Sequence, residues 1–131
     1  MKIVFDTNVL ISAFLSSGGM SQAVFNEAIQ GHKVILSEYV LEEFQRILQR
    51  KFNVPKHKVD FAIHAFRQNV LVLDKVPLAG VHFPDKADIP ILALAKASRA
   101  QVLVTGDKKL LELKRFFKAA VVSPREAMEI L

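Results

Sequence analysis

The chain contains no cysteine. That excludes disulfides, a thiolate nucleophile and thiolate-bound zinc, and it fits a reducing cytoplasm, the compartment expected here. It has no apolar run near the roughly 20 residues needed to cross a bilayer. The first apolar run is broken at once by Asp6, so no secretory leader is expected. Glycine and proline number five each. The one glycine pair, Gly18-Gly19, follows a predicted helix rather than a strand, so it reads as a turn and not as a phosphate-binding loop. A nucleophile elbow is missing too. The four histidines, His32, His57, His64 and His82, are scattered without motif partners, so surface or satisfied positions suit them better than catalysis.

What remains is an apolar, basic chain. Its 131 residues are 51% hydrophobic, enough for one domain with one core and too apolar for disorder. No repeat, low-complexity tract or linker divides it. A net charge of +5 favours a polyanionic partner, although many small basic proteins bind no nucleic acid.

Short Val/Ile/Leu/Phe runs alternate with helical periodicity. Strands are expected at residues 2–5, 34–36, 70–73, 102–104 and 120–122. Helices are expected at residues 8–15, from a Ser21 cap to Gln30, after a Ser37 cap, and at 56–68, 89–98 and 108–116. The last helix is capped by Ser123, with Pro124 in its first turn. The segment 77–85 reads as a loop. Strands apolar along their whole length imply a parallel sheet covered on both faces. The expected architecture is therefore a three-layer α/β/α domain over residues 1–131 with five parallel strands, for which 3-2-1-4-5 is the common order.

Four acids occupy costly positions. Asp6 ends the first strand, and Asp107 follows the fourth through Val104-Thr105-Gly106. At 100° per residue Glu43 lies at the edge of its helix's apolar face, whereas Glu42 points to solvent. Asp88 stacks over Ile91, Leu92 and Ala95. Each has an ordinary explanation: Asp88, Asp107 and Asp6 as helix N-caps, and Glu43 as a partner of Arg46 or Arg50. Convergence argues for more. With the first and fourth strands adjacent, Asp6 and Asp107 meet at the switch point, where open α/β sheets bind ligands. Clustered carboxylates stay ionised only if a cation offsets their repulsion. Oxygen donors without cysteine suit Mg²⁺ or Mn²⁺.

Four stretches, taken in order, resemble the PIN-domain family: Asp6-Thr7-Asn8-Val9-Leu10, Ser37 with Leu41-Glu42-Glu43-Phe44, Asp88-Ile89-Pro90-Ile91-Leu92-Ala93-Leu94-Ala95, and Val104-Thr105-Gly106-Asp107. Each is short, but together they span almost the whole chain. The resemblance is to the small prokaryotic subgroup described as toxins of toxin–antitoxin pairs. It implies a metal-dependent ribonuclease whose acidic quartet is Asp6, Glu43, Asp88 and Asp107, with Asn8 and Thr105 as supporting polar groups. It also implies an RNA substrate, an antitoxin protein as partner, and a homodimer, for which Phe14, Leu15 and Phe116 are candidate contacts or else core. One departure stands out. Many relatives carry a second acid directly after the one matched by Asp88, and here that residue is Ile89. Asp85, one helical turn earlier, either supports the site or is an ordinary loop residue.

Arg46, Arg50 and Lys51 follow Glu43 on its helix and are the expected contacts to the phosphate backbone. A second basic cluster after Asp107 reads equally well as a solvated face. Phosphotransferases and haloacid dehalogenases also place an aspartate after the first strand, but they need Asp-x-Asp, and here Asn8 takes the third position. The alternative from another class is a PIN-like fold that binds RNA or protein without cutting.

Overall fold

The computed structural model describes all residues from Met1 to Leu131. In chain order the elements are β1 (Lys2–Phe5), α1 (Thr7–Leu15), α2 (Met20–Gly31), β2 (Lys33–Ser37), α3 (Glu38–Arg50), α4 (Lys56–Asn69) and β3 (Leu71–Leu73). A single 3₁₀ turn at Lys86–Asp88 leads into α5 (Ile89–Ser98), followed by β4 (Val102–Val104), α6 (Lys108–Leu111), β5 (Arg115–Phe116), β6 (Ala119–Val122) and α7 (Pro124–Ile130).

The strand order is β3-β2-β1-β4-β6-β5. Its first five members are parallel and follow the expected order, with β6 in the place of the predicted fifth strand. The sixth strand was not expected. β5 pairs antiparallel with β6 through Arg115 opposite Ala120 and Phe116 opposite Ala119. The helix predicted over residues 108–116 therefore stops at Leu111. Lys114 adopts a left-handed conformation (φ 60°), which an α-helix cannot accommodate, and turns the chain back onto the sheet edge. A second correction concerns Ser21. α2 starts at Met20 with Gly19 as its N-cap, and the Gly19 carbonyl accepts from Ala23 N–H at 3.1 Å, so Ser21 sits inside the first turn. The Ser37 and Ser123 caps form as expected, and Ser123 completes a reciprocal capping box with Glu126.

Ile3, Val4 and Phe5 are wholly buried because both faces of β1 are covered. Right-handed crossovers place α1 to α4 on one face, where α7 packs against α2. The same rule puts α5 on the other face, with five consecutive buried residues from Ile91 to Ala95. Five phenylalanines tie the first face together edge to face: Phe5 to Phe25 at 5.2 Å, Phe25 to Phe66 at 5.4 Å, Phe66 to Phe44 at 5.1 Å and Phe44 to Phe14 at 6.0 Å. Such pairs each contribute about 0.5–1.5 kcal/mol beyond burial. Phe14 is thus spent on packing, and Phe116 packs against Phe117 at 4.8 Å, whereas Leu15 stays 42% exposed. No helix is long and apolar enough to cross a membrane.

Candidate functional site

β1 and β4 end level with each other, because the Asp6 N–H donates to the Val104 carbonyl at 2.9 Å. The residues just beyond these two central strands therefore meet at the carboxyl edge of the sheet. Thr105 is completely buried there. Its hydroxyl donates to Asp6 Oδ2 at 2.8 Å and accepts from the Asp107 N–H at 3.0 Å. One small side chain thus orients one acid directly and positions the backbone of another.

Asp6 stands at the N-cap position of α1, yet its side chain makes no capping bond. Capping does not account for this buried acid. Burial raises its pKa, hydrogen bonds from Thr105 and the Thr7 backbone oppose that rise, and the charges of Glu43 and Asp107 add to it. Asp107 does cap α6, through Oδ1 and the Lys109 N–H at 2.8 Å. Its ordinary role is therefore real and leaves its second oxygen for other use.

Asp88 begins α5 without capping it, so that expectation is corrected. The preceding 3₁₀ turn points its carboxylate toward Asp85 and Asp107, and one oxygen from each of the three lies within 4.8 Å of the others. Asp88 Oδ2 is buried without a hydrogen-bond partner. Burial, a hydrogen bond to Asp107 when protonated, and the charges of Asp107, Asp6 and Asp85 raise its pKa to about 7. A buried anionic oxygen with no donor costs several kcal/mol unless protonated or matched by a cation. Three carboxylates, with no cysteine or histidine among them, are the oxygen donors that a hard divalent cation takes. The donor set fits a hard divalent ion.

Glu43 comes from α3, on the other face of the sheet; its charge is felt by Asp6, but neither it nor Asp6 is among the three acids whose oxygens converge. Glu43 is half-buried, while Glu42 is exposed. Arg46 Nη2 lies 3.9 Å from Glu43 Oε2. Arg50 and Lys51 are exposed at the end of α3, with the Lys51 ammonium 5.8 Å from the Phe52 ring centroid. Asn8 is exposed in the first turn of α1. Asp85 is more prominent than its place in a loop suggested. The i, i+3 spacing to Asp88 was the available signal, and the 3₁₀ turn, capped by Asp85 through the Ala87 N–H at 3.1 Å, makes it count. Of the histidines, only His32 is half-buried, with Nδ1 3.1 Å from the terminal amine, far from this edge.

Residues 2–109 match the PIN domain family. No curated protein sequence matches the chain. Among solved structures, VapBC2 from Rickettsia felis, bound to a DNA fragment from their promoter, shares 18% identity and a TM-score of 0.70 over 94% of this chain and 98% of that one. FitAB bound to an IR36 DNA fragment shares 23% identity and a TM-score of 0.60 over 93% and 94% of the two chains. FitAcB from Neisseria gonorrhoeae shares 19% identity and a TM-score of 0.57 over 94% and 98%. At these identities the likeness is one of fold.

Proposed function

The chain belongs to the PIN domain family, and on that premise we propose that it is a Mg²⁺- or Mn²⁺-dependent endoribonuclease that hydrolyses single-stranded RNA. The observation that carries the reading is the partnerless buried oxygen of Asp88 inside a group of acids at the carboxyl edge of the central strands. A structural ion-pair network would have supplied a cation from a side chain, and none reaches this oxygen.

Asp88, Asp107 and Asp85 would hold the ion, with Asp6 completing or bracing the set through Thr105. When bound, such an ion offsets phosphate charge and lowers the pKa of water. The chain's own groups do the rest. Glu43, half-buried and near enough to Asp6 for its charge to act there, would orient the attacking water and accept its proton. Arg46 steers Glu43 and, with Arg50 and Lys51, binds flanking phosphates. Asn8, exposed in the first turn of α1, would donate its amide to a phosphate oxygen. Water oxygen bonds to phosphorus, the P–O3′ bond breaks and the 3′ oxygen takes up a proton, leaving a 5′-phosphate and a 3′-hydroxyl. We extend the reading to the toxin of a toxin–antitoxin pair, with an antitoxin protein as partner and a homodimer as the assembly. That extension rests on the resemblance of the four motifs, and the fold likeness to VapBC2 and FitAB is in keeping with it.

The test is cleavage of single-stranded RNA with Mn²⁺, with EDTA and Asp6→Asn as controls. Activity lost in both controls supports the mechanism, and activity that survives both ends it. Mn²⁺ binding without cleavage of any RNA favours a binding module instead.

A further inference from the structure

A cavity of about 300 Å³ opens between the start of α3, the chain leaving β3 and the first turn of α5. It lies at the carboxyl edge of the sheet, as the acids do. Tyr39 borders it and stands one helical turn before Glu43 on the same face of α3. Pro90, two residues after Asp88, borders it from α5. None of the acids lines the cavity, but Tyr39 and Pro90 make its walls continuous with the segments that carry Glu43 and Asp88. Its volume is at the low end for small-molecule pockets, suited to a single ring system rather than an oligomer.

Its walls select chemistry. Leu73, Val76, Leu78 and Pro90 are apolar, and Tyr39 presents an aromatic ring that is 42% exposed. Of the charged groups, Glu38 is paired, by two hydrogen bonds from Arg67 at 2.7 and 2.9 Å. Asp74 accepts from the Lys75 backbone N–H at 2.9 Å, and the Lys75 ammonium takes part in none of the ion pairs. Glu42 takes part in none of the ion pairs. An unpaired carboxylate repels phosphate and accepts hydrogen bonds from amino groups, which adenine, cytosine and guanine carry and uracil lacks.

We propose that this cavity is a nucleobase subsite, in which Tyr39 stacks on an amino-bearing base of the RNA chain next to the scissile phosphate and Glu42 accepts from its exocyclic amino group. The identity of the ligand rests on the nuclease reading above, and the geometry of the cavity does not. The arrangement separates the two parts of a nucleotide: phosphate toward the acids and basic residues of α3, base into the apolar cleft. Tyr39 and Glu42 are then specificity-determining residues, and the chemistry is left to Glu43 and the aspartates.

Tyr39 is the only tyrosine in the chain, so ring-labelled tyrosine gives one NMR spin system that reports on this cavity alone. The full chain is titrated with cytidine and uridine pentaribonucleotides, in EDTA and again in Ca²⁺, with binding followed in parallel by fluorescence anisotropy. The expected result is an upfield shift of the Tyr39 ring signals that saturates with the cytidine oligomer, together with tighter binding of cytidine than uridine. Tyr39→Ala should weaken cytidine binding about tenfold, as loss of one stacked base does, and Tyr39→Phe should restore it. Glu42→Gln should abolish the preference for cytidine over uridine. Cytidine monophosphate should move the same signals and compete with the oligomer, since both place a base in one cavity. Unmoved ring signals, an intact preference in Glu42→Gln, or a monophosphate that shifts the ring without competing would each overturn the proposal. Cleavage of RNA with Mn²⁺ by the same protein then tells whether the nuclease reading stands without the subsite or falls with it.

Discussion

The Thr105 hydroxyl donates to Asp6 Oδ2 at 2.8 Å, joining residues ninety-nine positions apart at the ends of the two central strands. Thr105 is fully buried and Asp6 nearly so, so the bond stabilises an ionised carboxylate where water cannot.

Thr105→Val keeps the shape of the side chain and removes the donor. It should destabilise the metal-free protein by about 1–3 kcal/mol, with Thr105→Ser close to the parent. Without the bond, burial and the charges of Glu43 and Asp107 raise the Asp6 pKa further. The loss should therefore be larger at pH 8, where Asp6 must ionise, than at pH 4. Urea denaturation at the two pH values measures both effects.

Asp88 sets a pH dependence of opposite sense to a salt-bridged acid. Its pKa rises from 3.8 to about 7 on folding, so the folded state holds a proton that the unfolded state has lost. The stabilising contribution is complete below about pH 4 and disappears as pH rises toward 7. Asp88→Asn should accordingly raise the metal-free melting temperature at pH 8 and leave it nearly unchanged at pH 4. A destabilising effect at pH 8 would show that the carboxylate is not held at a cost.

Divalent ions should reverse that penalty. Mg²⁺ or Mn²⁺ at about 100 times the dissociation constant should stabilise the fold by about 2.7 kcal/mol. The gain should be larger at pH 8 than at pH 5, because protons compete for Asp88. Calorimetric scans should show the gain lost in Asp88→Asn and Asp107→Asn and kept in Glu129→Gln, on the last helix away from the acids.

Arg46 and Arg50 are tested by salt rather than by activity. Each phosphate contact to a single strand contributes about 0.7 to the slope of log affinity against log salt. Replacing both arginines by alanine should weaken RNA binding and flatten that slope by about 1.4. An unchanged slope would move the nucleic-acid path elsewhere on the molecule.

Some of this was readable residue by residue. The Ile3–Phe5 and Val102–Val104 runs are apolar on both faces, which only a doubly covered strand tolerates, and the acids that end them followed from that. Ser37 and Ser123 announced their helices through local hydrogen bonding alone. Other features had no local signature. The Leu111 to Arg115 stretch carries neither glycine nor proline, so the left-handed Lys114 and the short β5 it permits were invisible to periodicity. Ser21 looked like a cap because its side chain can serve as one, but Gly19, with no side chain to contribute, took the position.

By itself, then, the sequence determined the layered α/β architecture and the four acids worth watching, because hydrophobic period and strand ends are local properties; the strand order was expected only as the common one for such sheets, and the pairing of β1 with β4 agrees with it. The tertiary structure alone decided which acids share an oxygen cluster, that Asp85 joins Asp88 and Asp107, and that Thr105 braces Asp6. It alone placed Tyr39 on the cavity between the start of α3 and the first turn of α5. Those relations depend on how α3, the 3₁₀ turn and two strand ends meet from opposite faces of the sheet, and sequence spacing does not encode distances of a few ångströms across such a junction.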